Sequence, residues 1–147
     1  MNLTYLDSSI LLSIILNDYN SNLSKSIFKK YIWASSKLLL FECSNVIVRE
    51  GQKQKSPNKI ISNSLSYLNK LVEYVNIIPM DDNVLDKFLS DKRISQGRTL
   101  DAIHIASAFH IQDNYEGKLS FATYDKKLEK VVFEMGFPLI DLNINSR

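Results

Sequence analysis

The sequence has almost no cysteine: Cys43 is the single one in 147 residues. An internal disulfide is therefore impossible, as is a zinc site of four cysteines, or of two cysteines and two histidines, within one chain. Long apolar runs are missing too. Ile10 to Leu16, the longest stretch worth testing, is far short of the ~20 residues of a spanning helix. No basic segment precedes it and Asp7 sits just upstream, which argues against a signal peptide. The expectation is a cytoplasmic protein with no membrane contact. Neither sign of charge dominates: 18 Lys and Arg against 16 Asp and Glu give +2. Apolar residues at 45% and charged residues at 23% are ordinary for a globular chain and exclude disorder. A single domain over residues 1–147 is expected, long enough to bury a full core.

The charge is unevenly placed. Between Lys25 and Lys59 eight basic residues face only Glu42 and Glu50, a local +6. Asp81, Asp82, Asp86 and Asp91, against Lys87, supply most of the compensation. Such a stretch is either a phosphate-binding face or a set of solvated lysines on amphipathic helices.

Short apolar segments alternate with helical patterns. Strands are expected at Leu3–Leu6, Leu38–Phe41, Tyr74–Ile78 and Leu119–Ala122, with a short fifth at Pro138–Ile140. Helices are expected at Ser9–Leu16, Leu23–Ala34, Glu42–Arg49, Ile60–Leu71, Asn83–Leu89, Thr99–Gln112 and Tyr124–Met135. This alternation predicts an α/β domain with a mostly parallel central sheet of four to five strands. Residues Gln52–Asn58 form a polar loop between two helices with no strand between them, which predicts a projecting helical hairpin.

Acids recur at matching places. Asp7 follows the first expected strand, Glu42 the second, and Asp125 lies two residues past the fourth. Asp101 opens the most apolar helix. Parallel strands with right-handed crossovers bring their carboxyl ends to one edge, where open α/β sheets hold their sites. Carboxylates crowded there repel one another unless a cation neutralises them, and oxygen donors select a hard ion, Mg²⁺ or Mn²⁺. Each acid also has a plain structural role open to it: Asp7 and Asp125 as helix caps, Glu42 and Asp101 as first-turn acids.

Other residues carry two readings as well. His104, three residues after Asp101, is either a ligand or base, or a core residue of an apolar helix. His110 is expected half-exposed, and Cys43 a buried filler. Ser8 and Ser9 either cap the first helix or hold the Asp7 carboxylate, and Thr123 stands in the same relation to Asp125. Arg98 either clamps a phosphate or forms a salt bridge. Tyr31 and Trp33, placed on a basic helix, either stack on bases or pack.

Several segments together resemble the PIN-domain ribonucleases. These are Tyr5-Leu6-Asp7-Ser8-Ser9-Ile10-Leu11-Leu12, Phe41-Glu42-Cys43 through Arg49-Glu50, Arg98-Thr99-Leu100-Asp101-Ala102-Ile103-His104-Ile105-Ala106-Ser107-Ala108, and Phe121-Ala122-Thr123-Tyr124-Asp125-Lys126-Lys127-Leu128. The likeness runs from about residue 3 to 140. Length and layout are most similar to the VapC-type toxins of toxin–antitoxin pairs. The resemblance implies a three-layer α/β/α fold and an endoribonuclease dependent on one or two Mg²⁺ or Mn²⁺ ions. It implies that Asp7, Glu42, Asp101 and Asp125 bind the metal, with Thr123 the hydroxyl before the last acid. It also implies a homodimer neutralised by a small antitoxin. The lysines Lys53, Lys55 and Lys59 belong to no family motif, and a role for them on RNA follows from charge alone. The alternative is a PIN-like scaffold without catalysis that binds RNA or protein.

Overall fold

The computed structural model describes residues 2–142. In chain order the elements are β1 (Leu3–Leu6), α1 (Ser8–Ile15), α2 (Ser21–Phe28), β2 (Ile32–Ser36), α3 (Leu38–Gly51) and α4 (Pro57–Val72). There follow β3 (Val75–Ile78), α5 (Asp82–Ser90), α6 (Lys92–Ser95), α7 (Thr99–Asp113), β4 (Ser120–Ala122) and α8 (Lys126–Glu134). The strands form one sheet in the order β3-β2-β1-β4, and every pairing is parallel.

Strands β1, β2 and β4 are largely buried on both sides, while the edge strand β3 leaves Asn76 exposed, and neighbouring residues feed opposite layers. Tyr5, Ala34 and Phe121 belong to a core shared with α5, α7 and α8. Leu6, Trp33 and Ala122 belong to a second core, shared with α1 to α4. The expected three layers are therefore present, with the sheet in the middle.

The second strand lies elsewhere than expected. Leu38–Phe41 is not a strand but the start of α3, and the strand is Ile32–Ser36, which overlaps the end of the segment Leu23–Ala34 read as a helix. A run of four apolar residues is ambiguous by itself, and Leu is a good helix former. The deciding pattern is longer: Leu39, Cys43, Ile47 and Gly51 recur every four residues, and all are buried. Within β2, Ser35 and Ser36 are buried polar groups that disguise a central strand. Both are satisfied: Ser35 Oγ donates to the Leu6 carbonyl at 2.7 Å, and Ser36 Oγ accepts from the Leu38 N–H at 3.1 Å. Trp33 is consequently a core residue, its Nε1–H donating to the Phe28 carbonyl at 3.0 Å, and is unable to stack on bases.

The expected fifth strand reduces to a single parallel bridge between Phe121 and Leu139. The helical hairpin is present as α3 and α4. Its two helices close on Gly51, where a Cβ would overlap Ile61. Ser56 takes a left-handed φ of 54° just before Pro57, turning the chain into α4. Lys53, Lys55 and Lys59 sit exposed around this tip.

Candidate functional site

The site assembles where β1 and β4 end. The Asp7 N–H donates to the Ala122 carbonyl at 3.1 Å, locking the exits of the two strands together. Asp7 is 5% exposed and caps α1. Its Oδ2 accepts from Ser9 Oγ and from Thr123 Oγ1, both at 2.7 Å, and more weakly from the Ser9 N–H at 3.4 Å. Those hydroxyls are themselves held: Ser9 Oγ accepts from the Tyr124 N–H at 2.9 Å, and Thr123 Oγ1 from the Asp125 N–H at 3.0 Å. Oδ1 makes no hydrogen bond among the described residues. Capping and presentation of a free oxygen are thus compatible in one carboxylate.

Glu42 arrives from α3. That helix begins at Leu38, so Glu42 is its fifth residue and not a first-turn acid placed for the helix dipole. Because β2 ends at Ser36, the start of α3 still lies at the carboxyl edge of the sheet. Glu42 Oε1 lies 2.5 Å from His104 Nε2, and His104 Nδ1 lies 2.6 Å from the Tyr5 hydroxyl. One ligand atom each from Asp7, Glu42 and His104 falls within 4.8 Å of the others. A cavity of about 330 Å³ borders Glu42 and is walled by Ser8, Leu38, Phe41 and Leu100.

Comparison with known proteins adds to this geometry. The PIN domain family model matches residues 4–134. The chain belongs to the PIN domain family. No curated protein matches it closely enough to count as a relative. Among solved structures, this PIN domain is similar to a chain of VapBC2 from Rickettsia felis bound to a promoter DNA fragment. There the TM-score is 0.61 at 14% identity, covering 94% of this chain and 97% of that one. A toxin-antitoxin complex from Klebsiella pneumoniae gives 0.61 at 15% identity, covering 97% and 98%. VapBC-1 from nontypeable Haemophilus influenzae gives 0.55 at 11% identity, covering 95% and 98%. At such identities the likeness is one of fold.

The remaining acids of this PIN domain stand outside the tight group. Asp101 lies in the first turn of α7 and is half-buried. Its carboxyl is pushed above the usual range, first by burial, then by the charges of Asp125 and Asp7, with Arg98 and His104 acting in the opposite sense. Three acids therefore share one electrostatic neighbourhood. Asp125 is exposed and caps α8, its Oδ1 accepting from the N–H groups of Lys127 at 2.9 Å and Leu128 at 3.2 Å. Arg98 is exposed at the N-terminus of α7. Ser9, rather than Ser8, holds Asp7, while Ser8 lines the cavity. His110 is half-exposed and Cys43 buried, as expected.

Sequence reading gave Tyr5 no role at the site. The available signal was its position two residues before Asp7, since Asp7 continues the extended backbone of β1 and alternate residues of an extended segment point the same way.

Proposed function

We propose that this PIN domain is a metal-dependent endoribonuclease and acts as the toxin of a type II toxin–antitoxin pair. The observation that carries the reading is the approach of Asp7 and Glu42 to within 4.8 Å at one sheet edge, with Asp101 feeling the charges of Asp7 and Asp125. The residues suit a hard divalent ion. Among the described residues Asp7 keeps one oxygen without a hydrogen bond while the other is fully occupied, and the Asp101 carboxyl is raised first by burial and then by the charges of Asp125 and Asp7, which Arg98 only partly offsets. Asp7, Glu42, Asp101 and Asp125 would hold one or two Mg²⁺ or Mn²⁺ ions. Such an ion supplies Lewis acidity, making water a better nucleophile and offsetting charge on the phosphate.

The protein's own groups do the positioning. Ser9 and Thr123 keep the Asp7 carboxylate in one orientation. Arg98, whose charge acts on Asp101, would meet the entering phosphate. Attack of water on phosphorus, with cleavage of the P–O3′ bond and a proton passing to the leaving oxygen, yields a 5′-phosphate and a 3′-hydroxyl. The exposed Lys53, Lys55 and Lys59 contact the RNA backbone further out. Likeness of fold to chains of toxin–antitoxin complexes supports a small antitoxin as partner. We take the working form to be a cytoplasmic homodimer.

The test is cleavage of total RNA by purified protein with Mn²⁺, with and without EDTA, beside the Asp7→Asn variant. Ion-dependent fragments bearing 5′-phosphates, lost in the variant, are expected. Equal cleavage by Asp7→Asn, or cleavage indifferent to EDTA, refutes the assignment. Co-expression with a small reading frame adjacent to the gene, should one be found there, tests the partner: a stable complex with suppressed cleavage is expected.

A further inference from the structure

His104 and Tyr5 take no part in the reaction above, yet both reach the site. His104 is 1% exposed and Tyr5 0%. Between them they form a continuous buried chain, Tyr5 hydroxyl to His104 Nδ1 at 2.6 Å and His104 Nε2 to Glu42 Oε1 at 2.5 Å. We propose that His104 is a positioning residue that holds Glu42 as an N–H donor, is kept in that role by the Tyr5 hydroxyl, and is not itself a metal ligand. The proposal rests on the acidic edge being the metal site.

The hydrogen inventory supports this. An ionised carboxylate only accepts, and a bare ring nitrogen only accepts. Two acceptors at 2.5 Å repel, so the contact with Glu42 requires a hydrogen on Nε2. In the neutral ring the lone pair then falls on Nδ1, facing the Tyr5 hydroxyl. A phenol keeps its hydrogen at neutral pH, so the buried Tyr5 hydroxyl is the donor in that contact. Each contact thus has one donor and one acceptor. Tyr5 cannot readily turn away: its ring stacks on Phe121 with centroids 4.7 Å apart and meets the His104 ring edge-on at 5.6 Å. Direct ligation by His104 is the competing arrangement, since its nitrogen also lies within 4.8 Å of Asp7. It would strip the hydrogen from Nε2 and leave Glu42 without its donor. A hydrogen-bonded imidazole behind a carboxylate is a common way to orient a ligand.

The test uses full-length protein with ¹⁵N-labelled histidine. There are two histidines in the chain, so the variant His110→Gln assigns the spectrum. The expected result is a hydrogen on His104 Nε2 that persists when Mg²⁺ is added. Loss of that hydrogen on adding Mg²⁺ overturns the proposal and makes His104 a ligand. In parallel, Tyr5→Phe, which keeps the ring and its packing, should weaken Mn²⁺ binding about tenfold by calorimetry. His104→Gln, whose amide nitrogen reaches the place of Nε2, should retain most of the affinity, and His104→Leu should not. Equal Mn²⁺ affinity in Tyr5→Phe and the parent, or equal loss in His104→Gln and His104→Leu, overturns the positioning role. If the parent protein binds neither ion, the metal reading of the edge fails separately. The ion-free nitrogen spectrum then still decides, an unprotonated Nε2 overturning the donor role.

Discussion

Thr123 Oγ1 donates to Asp7 Oδ2 at 2.7 Å across 116 residues of sequence. The same hydroxyl accepts from the Asp125 N–H, so one small side chain ties two acids of the edge to each other. Thr123 is 2% exposed, and neither hydrogen bond is open to replacement by water.

Thr123→Val keeps the shape and removes both hydrogen bonds. Mn²⁺ affinity should fall by about 10–100-fold, the usual cost of losing a group behind a metal ligand. Stability should fall by roughly 1–3 kcal/mol, because buried partners are left unsatisfied. Calorimetric titration and urea unfolding measure the two effects separately.

Asp101→Asn should have opposite effects on stability and activity. Its carboxyl is raised by burial and by Asp125 and Asp7, so ionisation opposes folding of the ion-free protein. An acid whose folded pKa lies above its unfolded value binds more protons when folded, and stability declines as pH rises through the range between the two. Removing the charge should raise the ion-free Tm at neutral pH. The gain should be only about 1–2 °C, since the group is partly solvated and screened. The gain should vanish at a pH low enough to protonate Asp101 in both states, and RNA cleavage should be lost throughout.

Gly51→Val should destabilise the hairpin. A Cβ at Gly51 would overlap the Ile61 side chain, and a branched one also disturbs the last turn of α3. A loss of about 1–3 kcal/mol is expected by urea unfolding. Ile61→Ala, introduced beside it, should recover part of that loss by opening space.

Lys53, Lys55 and Lys59 changed together to Glu should raise KM for RNA with kcat little altered. The salt dependence of binding should also flatten, by about 0.7 in the logarithmic slope for each phosphate of a single strand that is no longer neutralised. An unchanged KM would make these lysines solvent-facing surface only. Lys53 already has an exposed partner in Glu50 at 3.0 Å, so its share should be the smallest.

Much of this was legible in the sequence because it is local. Asp7 and Asp125 follow short apolar strands and cap the next helix, a pattern readable within about five residues. Asp101 opens an apolar helix in the same readable way. The second strand was not legible by the same means. Leu38–Phe41 looks like a buried strand, while the true strand carries Ser35 and Ser36, whose burial depends on partners in β1 and α3. Glu42 still reaches the edge, because only Lys37 separates β2 from α3. The Tyr5–His104–Glu42 chain was beyond reach. Its hydrogen bonds span 99 and 62 residues, and no periodicity within a helix or strand encodes them.

The account turns on a hard cation sitting between Asp7 and Glu42. The most direct measurement is an anomalous difference map from crystals grown with manganese chloride. A peak at coordination distance from Asp7 Oδ1 and a Glu42 oxygen, absent in Asp7→Asn crystals, is the predicted result. A map at saturating Mn²⁺ with no peak there, or with the ion bound elsewhere, contradicts it.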